Sequence, residues 1–288
     1  MIKRDRLALV FGATMTLGVL ATGDAVAEEP PAAEAIAQQV GLTASTYKYT
    51  EDDLMSLKGN KLGFDYGLRF PISSGWFGGA DFRYARGKVD YESNGTGTME
   101  NNTNWYAEWR LLSGYDFAFG NHTVGPYIGL GFRYLFHDGR GTTSTGHLGY
   151  RRESRYTYLP IGLAHRWSFN DHMNLTTTIE YDYLLQGRQT SEFGDVFEGD
   201  TTSLGTTLVS VEAAKNDQKH GHGWRGSVML NFGNWTMGPY ASYWRITDSE
   251  IDYIRAVDDA GNHWQFTAPL YEPKNSTKEM GFKASYLF

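Results

Sequence analysis

Lys278-Glu279-Met280-Gly281-Phe282-Lys283-Ala284-Ser285-Tyr286-Leu287-Phe288 closes the chain. Met280, Phe282, Ala284, Tyr286 and Phe288 put an apolar side chain at every second position, with Glu279, Gly281, Lys283 and Ser285 between them. A period of two with one apolar and one polar face marks a strand that separates two environments. The same signature recurs at Lys61 to Phe70, where Leu62, Phe64, Tyr66, Leu68 and Phe70 oppose Gly63, Asp65, Gly67 and Arg69.

Working outward, ten such stretches follow one another: Val40–Thr50, Lys61–Phe70, Trp76–Tyr91, Trp105–Phe119, Thr123–His137, Tyr156–Phe169, Met173–Arg188, Gly223–Phe232, Trp235–Ile246 and Ser276–Phe288. In the third, the parity breaks near Arg86, as at a bulge or on leaving a membrane. Tight turns (Pro71–Gly75, Gly120–His122, Asn170–His172, Gly233-Asn234) alternate with longer connections (Glu51–Asn60, Glu92–Asn104, Asp138–Arg155, Gln189–His222, Thr247–Asn275). Short turns at one end, long loops at the other and an even strand count describe an all-β, antiparallel up-and-down transmembrane barrel with no free edge. Ten strands is the expectation; twelve is the alternative if Gly205–Ala213 adds a pair. Aromatic residues make up 15% of the chain, with 19 Tyr and 8 Trp, which suits interfacial girdles. A mean hydropathy of −0.46 is compatible with a barrel because only alternate residues must be apolar.

At the other end, Lys3, Arg4 and Arg6 precede the apolar stretch Leu7–Ala21 and the small residues Ala25-Val26-Ala27. This reads as a signal peptide over residues 1–27. A retained anchor is the rival, but Gly12, Thr14, Thr16 and Gly18 interrupt a stretch already short for a bilayer. Residues 28–39, rich in Ala, Pro and Glu, read as a periplasmic leader, and 40–288 as the barrel. Removing residues 1–27 leaves a net charge of −8, which argues against a nucleic-acid surface. No cysteine is present, so disulfides and thiolate metal sites are excluded, and no cofactor is expected.

Taking the polar parity of each strand as inward places Asp65, Arg69, Asp81, Arg83, Glu108, Arg110, Asp116, Arg133, Arg166, Glu180, Asp182, Arg188, Arg225, Glu279 and Lys283 in the lumen. The signs nearly balance, as cross-lumen ion pairs require. In so narrow a bore the expectation is a structural network; a gated or selective pore is the alternative.

In the third loop, Arg140, Arg151, Arg152 and Arg155 concentrate positive charge suited to lipopolysaccharide phosphates or an anionic glycan. A clasp onto the acidic fourth loop (Glu192, Asp195, Glu198, Asp200) is the competing expectation. The acidic loops lack the ligand spacing of a calcium loop, so no metal site is assigned. His137 with Asp138, and Asp217 with His220 and His222, are rim pairs with the chemistry of a general base, without a full catalytic constellation.

Tyr286 and Phe288 resemble the C-terminal signal strand of Gram-negative outer-membrane barrels. That resemblance implies export, recognition by the barrel assembly machinery, and residence in the outer membrane with its lipid and lipopolysaccharide. The whole mature chain resembles the ten-stranded outer-membrane barrels, which include omptin proteases and neisserial Opc adhesins. Asp81 stands without the omptins' second Asp, and the fourth loop has no Asp-x-His, so the omptin catalytic set is not matched. The Opc likeness rests on Gly238-Pro239-Tyr240, a polar fifth loop, Pro273-Lys274 and the closing strand. The functional expectation is a non-enzymatic barrel for surface interaction or adhesion, with a small-solute channel second and a rim hydrolase third.

Overall fold

The computed structural model describes residues 36–199 and 205–288. The signal peptide and residues 28–35 of the expected leader lie outside them. Ten long strands form the barrel: β1 (Ala37–Glu51), β2 (Met55–Ser73), β3 (Trp76–Ser93), β4 (Gly97–Tyr115), β5 (His122–Thr142), β6 (Leu148–Asn170), β7 (Met173–Ser191), β8 (Gly221–Phe232), β9 (Trp235–Ile246) and β10 (Asn275–Leu287). Each pairs antiparallel with its neighbours in sequence, and β10 pairs with β1 from Asn275 opposite Glu51 to Leu287 opposite Gln39. The seam is completed by Phe288, whose N–H donates to the Gln38 carbonyl at 2.9 Å while its own carbonyl accepts from the Gln38 N–H at 3.4 Å. Closure satisfies the backbone around the whole ring, the condition for crossing hydrocarbon with strands.

The outer surface shows what solvent it meets. Leu62 is 73% exposed, Leu42 68% and Met280 66%, and they continue round the barrel with Leu111, Ile128, Ile161 and Ile179. A continuous belt of exposed aliphatics is lipid-facing rather than water-facing. Towards the tight turns it is bordered by aromatics: Trp76 packs edge-on to Tyr115 with ring centroids 5.3 Å apart, and Trp235 to Tyr286 at 5.2 Å. Towards the long loops Trp105 sits against Tyr134 and Phe136 at 5.2 and 5.5 Å. Such girdles suit rings that are apolar at one end and hydrogen-bonding at the other.

Boundaries differ from expectation in one direction. The expected loops Glu51–Asn60, Glu92–Asn104 and Asp138–Arg155 are mostly strand, reduced to reversals around Asp52–Leu54, Asn94–Thr96 and Thr143–His147. Above the membrane the outer face meets water, so apolar alternation ends while backbone pairing continues. Arg86 itself is regularly paired on both sides, and the bulge lies just beyond it, at Asp90, where register with β4 shifts between Val89 and Tyr91. At the other end β1 starts at Ala37, three residues inside the expected leader. β4 ends at Tyr115, and Phe117–Phe119 forms a separate short strand on β5.

Gly205–Ala213 adds no barrel strand. Its Leu208–Val211 pairs with Arg255–Asp258, which pairs with His263–Gln265, in a three-stranded sheet formed by the fourth and fifth loops. Leu208, Val211 and Ala256 form its small core, with Phe193, Phe197 and Trp264 against it.

Candidate functional site

The interior is filled in layers. Arg225 anchors the lowest: its two Nη atoms meet the Glu108 carboxylate at 2.6 Å each, and its Nε meets Asp182 at 2.6 Å and Glu180 at 3.2 Å. Arg110 spans Glu180 at 2.7 Å and Asp81 at 2.6 Å, and the Tyr127 hydroxyl donates to Glu180 at 2.7 Å. Asp65 takes Lys283 and, at 3.7 Å, Arg83. Arg133 lies over the Tyr106 ring at 4.5 Å, with Glu108 at 4.0 Å. Glu279 Oε1 accepts from Ser45, Tyr106 and Tyr240, all at 3.0 Å. Nearer the turn end Arg69 pairs with Asp116 at 2.5 Å.

In this layer cations and carboxylates alternate around the bore. Arg133 Nε and Nη2 and one oxygen each of Asp65, Asp182 and Glu279 have no hydrogen-bond partner among the described residues, whereas Arg225 and Arg110 hydrogen-bond directly to their carboxylates. Such pairing is what allows ionic groups to stay buried. Above it lies an apolar layer, in which Tyr156, Tyr158, Leu184, Trp244 and Ile246 pack together inside the barrel, with the Tyr158 hydroxyl donating down to Glu108 at 2.8 Å.

At the loop end a second ionic knot lies inside the barrel. Arg152 Nη2 meets Glu51 at 2.7 Å and Glu272 at 2.5 Å, and the Tyr49 hydroxyl donates to Glu272 at 2.7 Å. Burial raises the Glu272 carboxyl above its ordinary range; Arg152 opposes the rise and Glu51 adds to it. Over the knot sits a cavity of about 270 Å³ walled by Met55, Tyr91, Met99, Tyr150, Phe193 and Leu270, with His137, Arg152 and Glu272 among its polar lining. His137 is buried, and neither its Nδ1 nor Arg152 Nε has a hydrogen-bond partner among the described residues. Apolar walls with a few convergent polar groups are the usual make-up of a small-ligand site.

Fourteen of the fifteen residues assigned to the lumen from parity lie on inward positions, Arg166 among them near the turn end. Arg188 does not. Leu185 is skipped where Tyr158 and Thr157 pair with Leu184 and Gln186, so the face reverses. Arg188 therefore points outward, bound to Asp217 at 2.6 Å.

The basic cluster of the third loop is divided. Arg152 is inside the barrel; Arg151 grips Asp195 of the fourth loop at 2.8 Å, Arg155 holds Glu153 at 3.0 Å and Arg140 holds Asp138 at 2.8 Å. The rim pairs are not brought together either. His137 faces inward, Asp138 is held by Arg140, Asp217 by Arg188, and His222 stacks on Tyr181 with centroids 6.0 Å apart.

Sequence reading missed Lys61, buried against Asn104 with Nζ 3.9 Å from the Tyr47 ring centroid. Its inward parity in β2 was a usable signal. It also missed the interior aromatics Tyr106, Tyr158 and Trp244, because an apolar residue on the polar parity looks like noise in the alternation.

No family model matches this chain, and no curated protein does. Among solved structures, the outer membrane protease OmpT from Escherichia coli superposes with a TM-score of 0.57 at 12% identity, covering 92% of this chain and 99% of that one. The fold is that of a ten-stranded outer-membrane β-barrel. The translocator domain of the autotransporter NalP from Neisseria meningitidis matches with a TM-score of 0.41 at 10% identity, over 90% of each chain. Ail, the attachment invasion locus protein of Yersinia pestis, matches with 0.27 at 9%, over 88% of this chain and 100% of that one. At these identities the likeness extends to the fold alone.

Proposed function

We propose that this protein is a non-conducting barrel of the Gram-negative outer membrane, exported by its N-terminal signal peptide, whose loop end faces outward and engages ligands at the cell surface. One observation supports the reading: side chains cross the bore at the Arg225 network, the Trp244 layer and the Arg152 knot, so the cavity of about 230 Å³ within the ionic layer lies beneath them and the cavity of about 270 Å³ above the knot is the one at the mouth. The cavity above the knot receives a small, mainly apolar group that offers a hydrogen-bonding atom to His137.

Purified protein in planar bilayers tests the closed bore, and no unitary conductance steps are expected. Regular steps would replace this reading with a channel. Surface binding is read separately: wild-type cells should adhere to host cells or glycans, and cells carrying Met99→Asp with Tyr150→Asp should not, at equal barrel levels. Equal adherence by both would remove the mouth from the function.

A further inference from the structure

The lipid-facing wall carries a cationic feature that neither the lumen nor the mouth uses. On the outward face of β10, β1 and β2, Lys278 is directly opposite Lys48, and Lys48 directly opposite Lys58. Lys88 and Arg86 continue the patch on β3, opposite Asn60 and Leu62. All five are exposed. Like charges facing each other across strands oppose sheet formation, so three in a row are costly unless an anion sits on them.

The protein's own compensation is slight. Glu92 reaches Lys58 at 3.3 Å, and Asp90, opposite Lys58, is engaged by the Asn101 N–H at 2.9 Å. Lys88 donates to the Thr103 hydroxyl at 2.9 Å, and Lys278 lies 5.9 Å from the Tyr243 ring centroid. Lys48 and Arg86 have no ion-pair or hydrogen-bond partner among the described residues.

Position identifies the occupant. Directly below the row Lys278–Lys48–Lys58, on the same outward parity, come Met280, Thr46 and Asn60, level with Lys88, and then Phe282, Ala44 and Leu62, level with Arg86. The short side chains of Ala44, Thr46 and Asn60 leave two adjoining grooves of about 500 Å³ each, sharing Thr46, Asn60 and Met280. One runs up to Lys48, Lys58 and Lys278, with Asp90 as its single carboxylate, and the other to Arg86. A ligand for this surface carries several negative charges at one level and apolar chains immediately beneath it. An acidic protein would meet the lysines but not the lipid-immersed groove.

We infer that the β10–β1–β2–β3 face is a binding site for a phosphorylated, multiply acylated glycolipid of the outer leaflet, with phosphates on the lysine row and acyl chains in the groove. The inference rests on the outward placement of the loop end proposed above.

The test uses the full mature barrel in detergent, with native mass spectrometry and thermal shift as readouts and a diphosphorylated lipid A as probe. Wild type should retain lipid A and gain thermal stability. The Lys48→Gln, Lys58→Gln, Lys278→Gln triple variant should bind at least about tenfold more weakly, the triple Lys→Arg variant should bind like wild type, and enzymatically dephosphorylated lipid A should bind neither. Heat-modifiable migration of each variant establishes that it is folded. Equal retention by wild type and the Gln variant, equal binding of the dephosphorylated lipid, or equal competition by inorganic phosphate alone would overturn the site. Protease accessibility of the loops on intact cells reads orientation independently, so an inverted barrel would be recognised as a failure of the placement and not of the lysine row.

Discussion

Arg225 shows how a single side chain ties the barrel interior together. Its guanidinium binds both oxygens of Glu108 and one of Asp182 and lies beside Glu180, three carboxylates that otherwise face one another. Replacing it by Met keeps most of the volume and removes the charge. Arg225→Met should therefore destabilise the folded barrel by about 3–5 kcal/mol, the range for orphaning a buried ionic partner. Adding Glu108→Gln and Asp182→Asn should recover part of the loss. Thermal or urea unfolding of the three proteins checks this; an unchanged midpoint in Arg225→Met would mean water already solvates the carboxylates.

Asp258 plays the corresponding part in the loop sheet. It is buried, and it accepts from the N–H groups of Ala260 and Asn262 at 3.0 and 2.7 Å and from Trp264 Nε1 at 2.9 Å. Burial by itself would raise its carboxyl, but the hydrogen bonds from Asn262 and Trp264 outweigh that and hold it well below the ordinary carboxylate range. A depressed folded-state pKa stabilises the fold above the ordinary value and ceases to do so as pH falls through the folded one. Asp195, lowered by Arg151 against its burial, and Asp217, lowered first by Arg188, act in the same sense. The loop sheet should thus lose stability progressively as pH falls below about 4, the ordinary carboxylate value. Limited proteolysis across that range should cut first within the fourth and fifth loops; resistance down to the lowest pH would show that the apolar contacts of Leu208 and Val211 suffice.

Among elements, β10 does most to define the barrel, and its final residue contributes through its backbone. Phe288 exchanges both main-chain hydrogen bonds with Gln38 at the foot of the seam. Deleting it removes them together with an exposed aromatic at the lipid edge, and outer-membrane levels should fall severalfold while export into the periplasm continues. Fractionation and gel migration without boiling provide the measurement. Undiminished levels would assign the closing role to Tyr286 and the rest of the strand.

The same element shows what was legible in sequence. Wherever one face meets lipid and the other the lumen, as from Lys278 to Phe288 or Lys61 to Phe70, alternation located the strand and sorted its residues. It failed where that contrast disappears. Above the membrane, Gly97 to Asn104 and Arg151 to Arg155 are wetted outside and polar inside, and they read as loops. At Leu185 one extra residue reversed the face of everything after it, carrying Arg188 outside. Arg152 was recognised as basic, but only the three-dimensional path of Glu272 reveals its partner. The lysine row is likewise a relation between strands more than 200 residues apart in sequence, joined at Lys278 opposite Lys48.

For the whole molecule, strand length carries a consequence. β5 has 21 residues and β6 has 23, whereas roughly 9–11 tilted residues cross the hydrocarbon of an outer membrane. Some ten residues per strand remain, and at about 3.4 Å per residue, reduced by tilt, they raise the hairpin tip on the order of 25 Å above the lipid. Taken with the outward orientation proposed above, the barrel stands like a turret. The pairing that continues from Gly97 to Thr103 and from Leu148 to Tyr156 makes that height rigid. A short epitope inserted at Gly146 in the β5–β6 turn should consequently be labelled by antibody on intact cells even beneath a long surface polysaccharide, whereas one inserted at Gly120 should be labelled only after the envelope is opened. The mouth is thereby carried past the crowded sugar layer nearest the membrane, where a receptor flush with the lipid would be masked from anything as large as another cell.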